Sequence, residues 1–365
     1  MARAIELSRM GYPAPNPRVG CVLVRDGKIV GEGFHALAGG SHAEVAALLD
    51  AGPKSEQATT YVTLEPCDHV GRTGPCSVAL IDAGVCRVIY AVADPNPKAK
   101  GGAARLREAG VAVDGGLLES EAAVINERFL TAMRLHRPFV IVKAAITLDG
   151  RIALPSGESQ WITGESARLA GRWLRKEMGA VLVGPGTVLA DDPHLTPDVP
   201  GYDWIPPANF ARVVLDPRLE IPSSARVFDA AAPTLHVVPE HGKPTRAEGG
   251  SSLRLPLENG RFPIPLLLEK LFELGHTGLL VEGGGRTIGS FFQAGCVDAI
   301  ELFVAPKVLG EGPSWVEAFK IPGLGDAPEF KVKSTERLGD DLHLSLRKAI
   351  SSPPLAGEDL PRPRG

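Results

Sequence analysis

The sequence predicts an α/β protein of two domains, and three observations carry that expectation. The chain has 365 residues, more than one ordinary hydrophobic core accommodates. Strand-like apolar runs alternate with helical spacing through both halves. Between the halves, His136-Arg137-Pro138 interrupts the pattern after a long helical stretch and before a strong strand. The expected divisions are 1–136, 137–350 and a charged, Pro-rich tail at 351–365, whose composition predicts disorder.

Each element has its own reason. Residues 2–10 place Ala4, Ile5, Leu7 and Met10 at helical spacing. A breaker-rich loop, 11–17, holds Asn16 between two prolines. Residues 19–24 and 28–34 read as a hairpin joined by Asp26-Gly27. Ser41 is the expected N-cap of a helix over 43–49. Residues 60–64 are a strand, and Cys76 opens a helix that runs to 83. Residues 86–92 and 111–113 are strands around a helix at 99–109, and 119–135 reads as one long amphipathic helix. In the second half, strands are expected at 139–147, 180–184, 211–216, 234–238, 279–282 and 300–305, with a helix over 165–178 and another after 285. The connectors 198–210 and 239–263 read as surface loops.

Composition narrows the function. Lys and Arg number 39 against 43 Asp and Glu, a net charge of −4, which excludes a sequence-independent grip on nucleic acid. A few local cations would still hold one small-molecule phosphate. Five cysteines in a long chain are not a disulfide framework. Cys21, Cys86 and Cys296 read as small buried hydrophobes. No apolar run is long enough for a signal peptide or a bilayer span, so no membrane is expected and the location expected is cytoplasmic.

The chemistry concentrates between residues 42 and 76. His42, Cys67 and Cys76 supply three ligands of the types that suit a tetrahedral zinc, with the fourth position open to water. Glu44, two residues after His42, is placed to shuttle a proton between that water and a leaving amine. His-x-Glu followed by Pro-Cys and a further Cys is the zinc-deaminase signature. A purely structural zinc would need four protein ligands, and the nearest spare histidine is His69. Such a site has no use for an adjacent proton carrier.

Nucleic-acid and free-nucleoside deaminases usually show Pro-Cys-x-x-Cys, whereas here eight residues separate Cys67 from Cys76. That insertion, with Pro15-Asn-Pro-Arg-Val-Gly20, Thr63-Leu-Glu-Pro-Cys67 and Asp94-Pro-Asn-Pro97, resembles the bifunctional deaminase/reductases of riboflavin biosynthesis. The resemblance implies a cytidine-deaminase-like three-layer domain. It also implies that Asn16 contacts the pyrimidine while His69, Arg72, Asp94 and Asn96 line the ribose-phosphate end. Asp68 stands where a small polar residue is common in that family.

In the second half, Val281-Glu-Gly-Gly-Gly-Arg-Thr-Ile-Gly289 runs from a strand into glycines and a helix. Backbone N–H groups there could cradle a pyrophosphate, although the spacing is not the Rossmann fingerprint. Together with residues 143–151, 159–163, 187–193 and 305–307, this stretch resembles the reductase half of the same family, in order. The resemblance implies a dihydrofolate-reductase-like α/β domain that uses NADPH. Ala145, Trp161, Thr187, Asp191 and the run Gly284, Gly285, Arg286, Thr287, Ile288, Gly289 and Ser290 would border that cofactor. Ser159, Arg175, Leu195 and Glu282 would face the substrate, Arg175 as its phosphate partner. Where the family often has Arg shortly after Leu195-Thr196, this chain has Pro197-Asp198. The resemblance covers about residues 2–348.

It implies two reactions on a phosphorylated pyrimidine: zinc-dependent hydrolytic deamination, then NADPH-dependent reduction of ribosyl to ribityl. Homo-oligomers through the reductase half are also implied. The rival expectation is a deaminase whose C-terminal half is a non-catalytic oligomerising module, which Asp198 alone favours.

Overall fold

The computed structural model of the chain describes residues 1–70, 74–199, 210–241 and 251–349. Arg72 and the tail 351–365 lie outside the described residues, as do parts of the two expected loops.

The N-terminal unit runs α1 (Ala2–Ser8), β1 (Gly20–Arg25), β2 (Lys28–Phe34), α2 (Ala43–Ala51), β3 (Thr59–Leu64), α3 (Cys76–Asp82), β4 (Arg87–Val92), α4 (Gly102–Glu108), β5 (Ala112–Gly115), α5 (Glu119–Ile125) and α6 (Glu127–Leu135). Its five-stranded sheet has the order β2-β1-β3-β4-β5. The first three strands pair antiparallel and the last three parallel. Asp26 and Gly27 both take positive φ, 53° and 72°, as the two-residue hairpin turn requires. Leu23, Val62, Leu80, Val88 and Leu106 are fully buried in one core. Gly31 and Gly33 let α2 lie directly on β2, since a methyl group at Gly33 would collide with the Ala43 carbonyl. That close approach sets the start of α2 against the sheet.

The C-terminal unit runs β6 (Phe139–Thr147), α7 (Glu165–Met178), β7 (Ala180–Val183), α8 (Pro185–Asp191), β8 (Ala211–Leu215), β9 (Thr234–Pro239), β10 (Ser251–Leu255), α9 (Ile264–Glu273), β11 (Gly278–Val281), α10 (Gly285–Gln293), β12 (Ala299–Ala305), β13 (Phe330–Leu338) and β14 (Asp341–Lys348). The sheet order is β10-β9-β8-β7-β11-β6-β12-β14-β13. Strands β10 to β12 are parallel, and the β13/β14 hairpin closes one edge antiparallel. The central strands β7, β8 and β11 are buried along their whole length, which is why they read as unbroken apolar runs. On one face Leu182, Leu279 and Val281 pack with Leu267 and Leu271 of α9 and Phe291 of α10. On the other, Val181 and Val183 meet Val188, Leu195 and Phe228.

Four local expectations are corrected. The N-cap of α2 is His42, not Ser41, and the Ser41 carbonyl instead faces His35 Nδ1 at 2.9 Å. The helix expected over 119–135 breaks at Asn126. The Asn126 side chain turns away to bond both backbone groups of Arg18 at 2.8 Å. The connector 239–263 contains β10, which completes the parallel edge beside β9. Helix α9 and the hairpin β13/β14 had no expectation: α9 is apolar on nearly every turn and has prolines at its start, Pro263 and Pro265, and β13 is largely exposed. Cys86 is exposed, its thiol donating to the Gln57 carbonyl at 3.2 Å, while Cys21 and Cys296 are buried.

Candidate active sites

Three elements bring the N-terminal ligands together. His42 caps α2, Cys67 follows the end of β3, and Cys76 is the first residue of α3. The packing is tight there, because a methyl at Gly102 would strike the carbonyl of Pro66. One ligand atom from each residue lies within 4.8 Å of the other two, and His42 Nδ1 is 3.2 Å from Cys76 Sγ and 3.5 Å from Cys67 Sγ. One imidazole nitrogen and two sulfurs at such separation fit a zinc ion with a fourth position left over. Among the described residues no fourth protein ligand joins the three: His69 lines the adjoining cavity without entering the group.

Electrostatics support metal binding. Cys67 is held far below the usual thiol value, first by a bond from the Cys76 thiol and then by His42, so the pair shares a thiolate. Glu44 sits in the first turn of α2 and is 4% exposed. Burial, then the neighbouring Cys67 charge, pushes its carboxyl up to about 7. A group poised there gives and takes a proton readily.

Beside these groups is a cavity of about 160 Å³ that Asn16, Glu44, His69, Asp94 and Asn96 all line. His69 Nδ1 is buried with no hydrogen-bond partner among the described residues, a donor or acceptor left for a ligand. Burial raises Asp94 to about 6, although its Oδ1 accepts the Asn96 N–H at 2.8 Å. Two residues in this cavity escaped the sequence reading. His35 faces Asn16 Nδ2 through Nε2 at 3.3 Å, orienting the amide. Glu65 accepts the N–H groups of Asp94 and Ala103, at 3.3 and 3.2 Å, and so ties the loop of Asp94 and Asn96 to α4. Only the strand end at 34–35 hinted at the first, and nothing local at the second. The unusual Asp68 is structural, accepting from Ser77 at 2.6 Å and from Arg105.

In the C-terminal unit the expected residues gather at the carboxyl ends of β6, β7 and β11. Glu282, at the end of β11, has a side chain 8% exposed, and Arg175 of α7 forks onto it at 2.7 and 2.8 Å. Lys143 Nζ is 3.8 Å away. Burial alone would raise Glu282, but Arg175 and Lys143 outweigh it and hold the carboxyl at about 2. Arg175 also donates to the Thr196 carbonyl at 3.0 Å. Asp198 accepts from Thr196 Oγ1 at 2.6 Å and adds negative charge near Arg175. Leu195 is buried with φ of 55°, a left-handed conformation, and its side chain belongs to the core cluster of Val183 and Val188. Ser159 donates to Asp191 at 3.0 Å, and Gly284 N–H donates to Thr187 Oγ1 at 3.1 Å. Ala145 pairs with Phe303 across β6 and β12. Trp161, 61% exposed at the rim, carries Arg168 over its ring at 4.4 Å, and its carbonyl accepts from Lys307.

The glycines of this stretch divide by job. A side chain at Gly283 would approach Thr287 to 2.7 Å, and at Gly285 or Gly289 it would collide with the Ser314 or Glu317 carbonyl. These three allow close packing. Gly284 alone faces open space, with nothing nearer than Thr187 Oγ1 at 4.0 Å. It is the N-cap of α10, where backbone N–H groups suit a phosphate. A cavity of about 240 Å³ lies alongside, between β7, β8 and α10. Leu215, Phe262 and Ile264 give it an apolar wall, and Arg218, Arg261 and Arg286 give it a cationic rim. A phosphorylated dinucleotide fits that donor set.

Comparison with known proteins accounts for both halves. Residues 1–92 match the family model for the cytidine and deoxycytidylate deaminase zinc-binding region, and residues 138–344 match that for the RibD C-terminal domain. The riboflavin biosynthesis protein RibD of Aquifex aeolicus is 43% identical over 95% of this chain and 97% of its own. That of Escherichia coli K12 is 41% identical over 95% and 98%. Among solved structures, Acinetobacter baumannii RibD superposes with a TM-score of 0.87 at 38% identity, over 95% of this chain and 97% of that one. A Thermotoga maritima diaminohydroxyphosphoribosylaminopyrimidine deaminase/5-amino-6-(5-phosphoribosylamino)uracil reductase superposes with 0.84 at 35% identity, over 96% and 97%.

Proposed function

This chain belongs to the RibD family of bifunctional riboflavin-biosynthesis enzymes, and from that premise we propose which of its residues carry each reaction. The enzyme is a zinc-dependent deaminase with a cytidine-deaminase-like fold, joined to an NADPH-dependent reductase with a dihydrofolate-reductase-like fold. It deaminates the diaminopyrimidinone ribosyl phosphate and then reduces its ribosyl group to ribityl. We place the division at 1–136 and 137–350.

The observation that carries the deaminase assignment is the convergence of His42, Cys67 and Cys76 beside the buried Glu44. His42, Cys67 and Cys76 would hold zinc, which supplies Lewis acidity for the hydrolysis. Glu44 takes the proton from the attacking water and returns it to the departing ammonia. Asn16, oriented by His35, reads the pyrimidine edge. His69, Asp94 and Asn96 face the ribose-phosphate end, with Arg72 as a further partner.

NADPH supplies the hydride of the second reaction. Gly284 to Ser290, Thr187 and Asp191 position its phosphates and ribose, with Ala145 and Trp161 beside the nicotinamide. Arg218, Arg261 and Arg286 take its anionic adenosine end. Arg175, Ser159, Glu282 and the Leu195 backbone orient the substrate, Arg175 offering its remaining N–H groups to the phosphate. The Asp198 bond to Thr196 braces this loop, and nothing about it closes the mouth, so both halves are read as working enzymes. A cytoplasmic location fits the reduced thiolates; among the described residues no helix is long and apolar enough to cross a membrane. We assign self-association to the reductase unit, where β13 leaves a long exposed sheet edge.

Glu44→Gln tests the central role. The variant should retain one zinc and lose deamination by about 10²–10⁴-fold, yet still reduce pre-deaminated substrate with NADPH. Retained deamination would overturn the role of Glu44.

A further inference from the structure

The loop that carries Asn16 is held from both domains. On its own side, Tyr12 N–H donates to the Ala36 carbonyl at 2.8 Å and Asn126 brackets the backbone of Arg18. From the other side, the Arg18 guanidinium sits on both carboxylate oxygens of Glu177, at 2.8 and 2.9 Å, on α7 of the C-terminal unit. Thr277, just before β11, donates its hydroxyl to the Pro15 carbonyl at 3.2 Å. The bonds from the C-terminal unit thus flank Asn16 by one residue before and two after. Arg128, from α6, anchors the Glu177 backbone by donating to its carbonyl at 2.6 Å.

Helix α7 therefore serves two sites. Residues two apart on a helix point to different faces. Arg175 turns to Glu282 in the reductase mouth, while Glu177 turns to Arg18 beneath the deaminase loop. We propose that Glu177 and Thr277 of the reductase domain are positioning residues for deamination, fixing Asn16 over the zinc-site cavity through Arg18 and Pro15. Neither touches substrate. The cavity wall that reads the pyrimidine is complete only when the reductase domain is docked, so the two activities share one chain for a geometric reason. A loop displaced by about an ångström is enough to cost a large factor in rate.

This inference rests on Asn16 contacting the deaminase substrate, and the full-length enzyme tests both separately. Arg18→Glu and Glu177→Arg should each lower deaminase kcat/KM about tenfold, chiefly through KM, with zinc content unchanged and reduction of pre-deaminated substrate unaffected. The double variant, which restores the pair with charges exchanged, should recover most of the loss. Single variants with ordinary deamination, a double variant that recovers nothing, or single variants that lose zinc would each overturn the proposal. Where charge reversal prevents folding, Glu177→Ala removes the Arg18 bonds and Thr277→Val the Pro15 bond without repulsion, and a severalfold rise in deaminase KM is expected; an unchanged KM overturns it. Asn16→Ala separates the two readings: if it deaminates normally, the substrate role of Asn16 fails, and with it the route by which Glu177 acts.

Discussion

Glu44 and Glu282 are both buried acids at the heart of a site, yet their environments drive them apart. Burial with a thiolate nearby lifts Glu44 to about 7, an effect that His42 offsets only in part. Glu282 is clamped by Arg175 and Lys143 and sits at about 2. The first carboxyl is set to move a proton, the second to hold a charge in place. Burial alone says little about an acid's role; the partner decides it.

The largest effect that would sharpen this contrast is metal removal. Stripping zinc with a chelator should bring deamination to background and leave NADPH-dependent reduction untouched. A parallel loss of reduction would break the separation of the sites. Next in size is Glu282→Gln, which leaves Arg175 and Lys143 buried without their counter-charge and should cost about 3–5 kcal/mol of stability in the C-terminal domain. Urea midpoints would measure it.

The pH dependence of that stability follows in sign. The folded-state pKa of Glu282 lies below its unfolded value, so its contribution is full above about pH 4.5 and lost as pH falls toward 2. A shift of that size corresponds to about 3 kcal/mol. Wild-type stability should drop across this window more steeply than that of Glu282→Gln, and equal slopes would contradict the clamp. Smaller again is the effect at the cationic rim. Arg286→Ala should weaken NADPH binding about tenfold while changing NADH binding little, as titration calorimetry would show. Gly284→Ala should also weaken cofactor binding without unfolding the protein, whereas Gly289→Ala should destabilise it.

The two sites were unequally legible in the sequence. The candidate zinc ligands and Glu44 lie within 35 residues, on strand ends and helix starts that local patterning places, so His42, Cys67 and Cys76 could be grouped from spacing alone. Glu65 and His35 could not, because their work is to brace Asn16, Asp94 and α4 across the fold. The reductase mouth draws on residues from Lys143 to Lys307, brought together by sheet order, and only the family resemblance connected them. The Gly-rich stretch misled in part: three of its glycines serve packing, a distinction set by Thr287, Ser314 and Glu317. The strands β10 and β13 went unread because exposed edge strands lack the apolar alternation of buried ones; β14, paired on both sides, was missed despite its alternating Leu342, Leu344 and Leu346. The break at Asn126 was hidden for a similar reason, since its cause, the backbone of Arg18, is more than a hundred residues away.

The most direct test is mass spectrometry of the diaminopyrimidinone ribosyl phosphate after incubation with the enzyme, without and with NADPH. Two working sites in one chain predict the deaminated product alone without cofactor, and the same product gaining two hydrogens when NADPH is present. Deamination that stops there with NADPH supplied would contradict the reductase assignment and direct attention to Asp198 and Arg175.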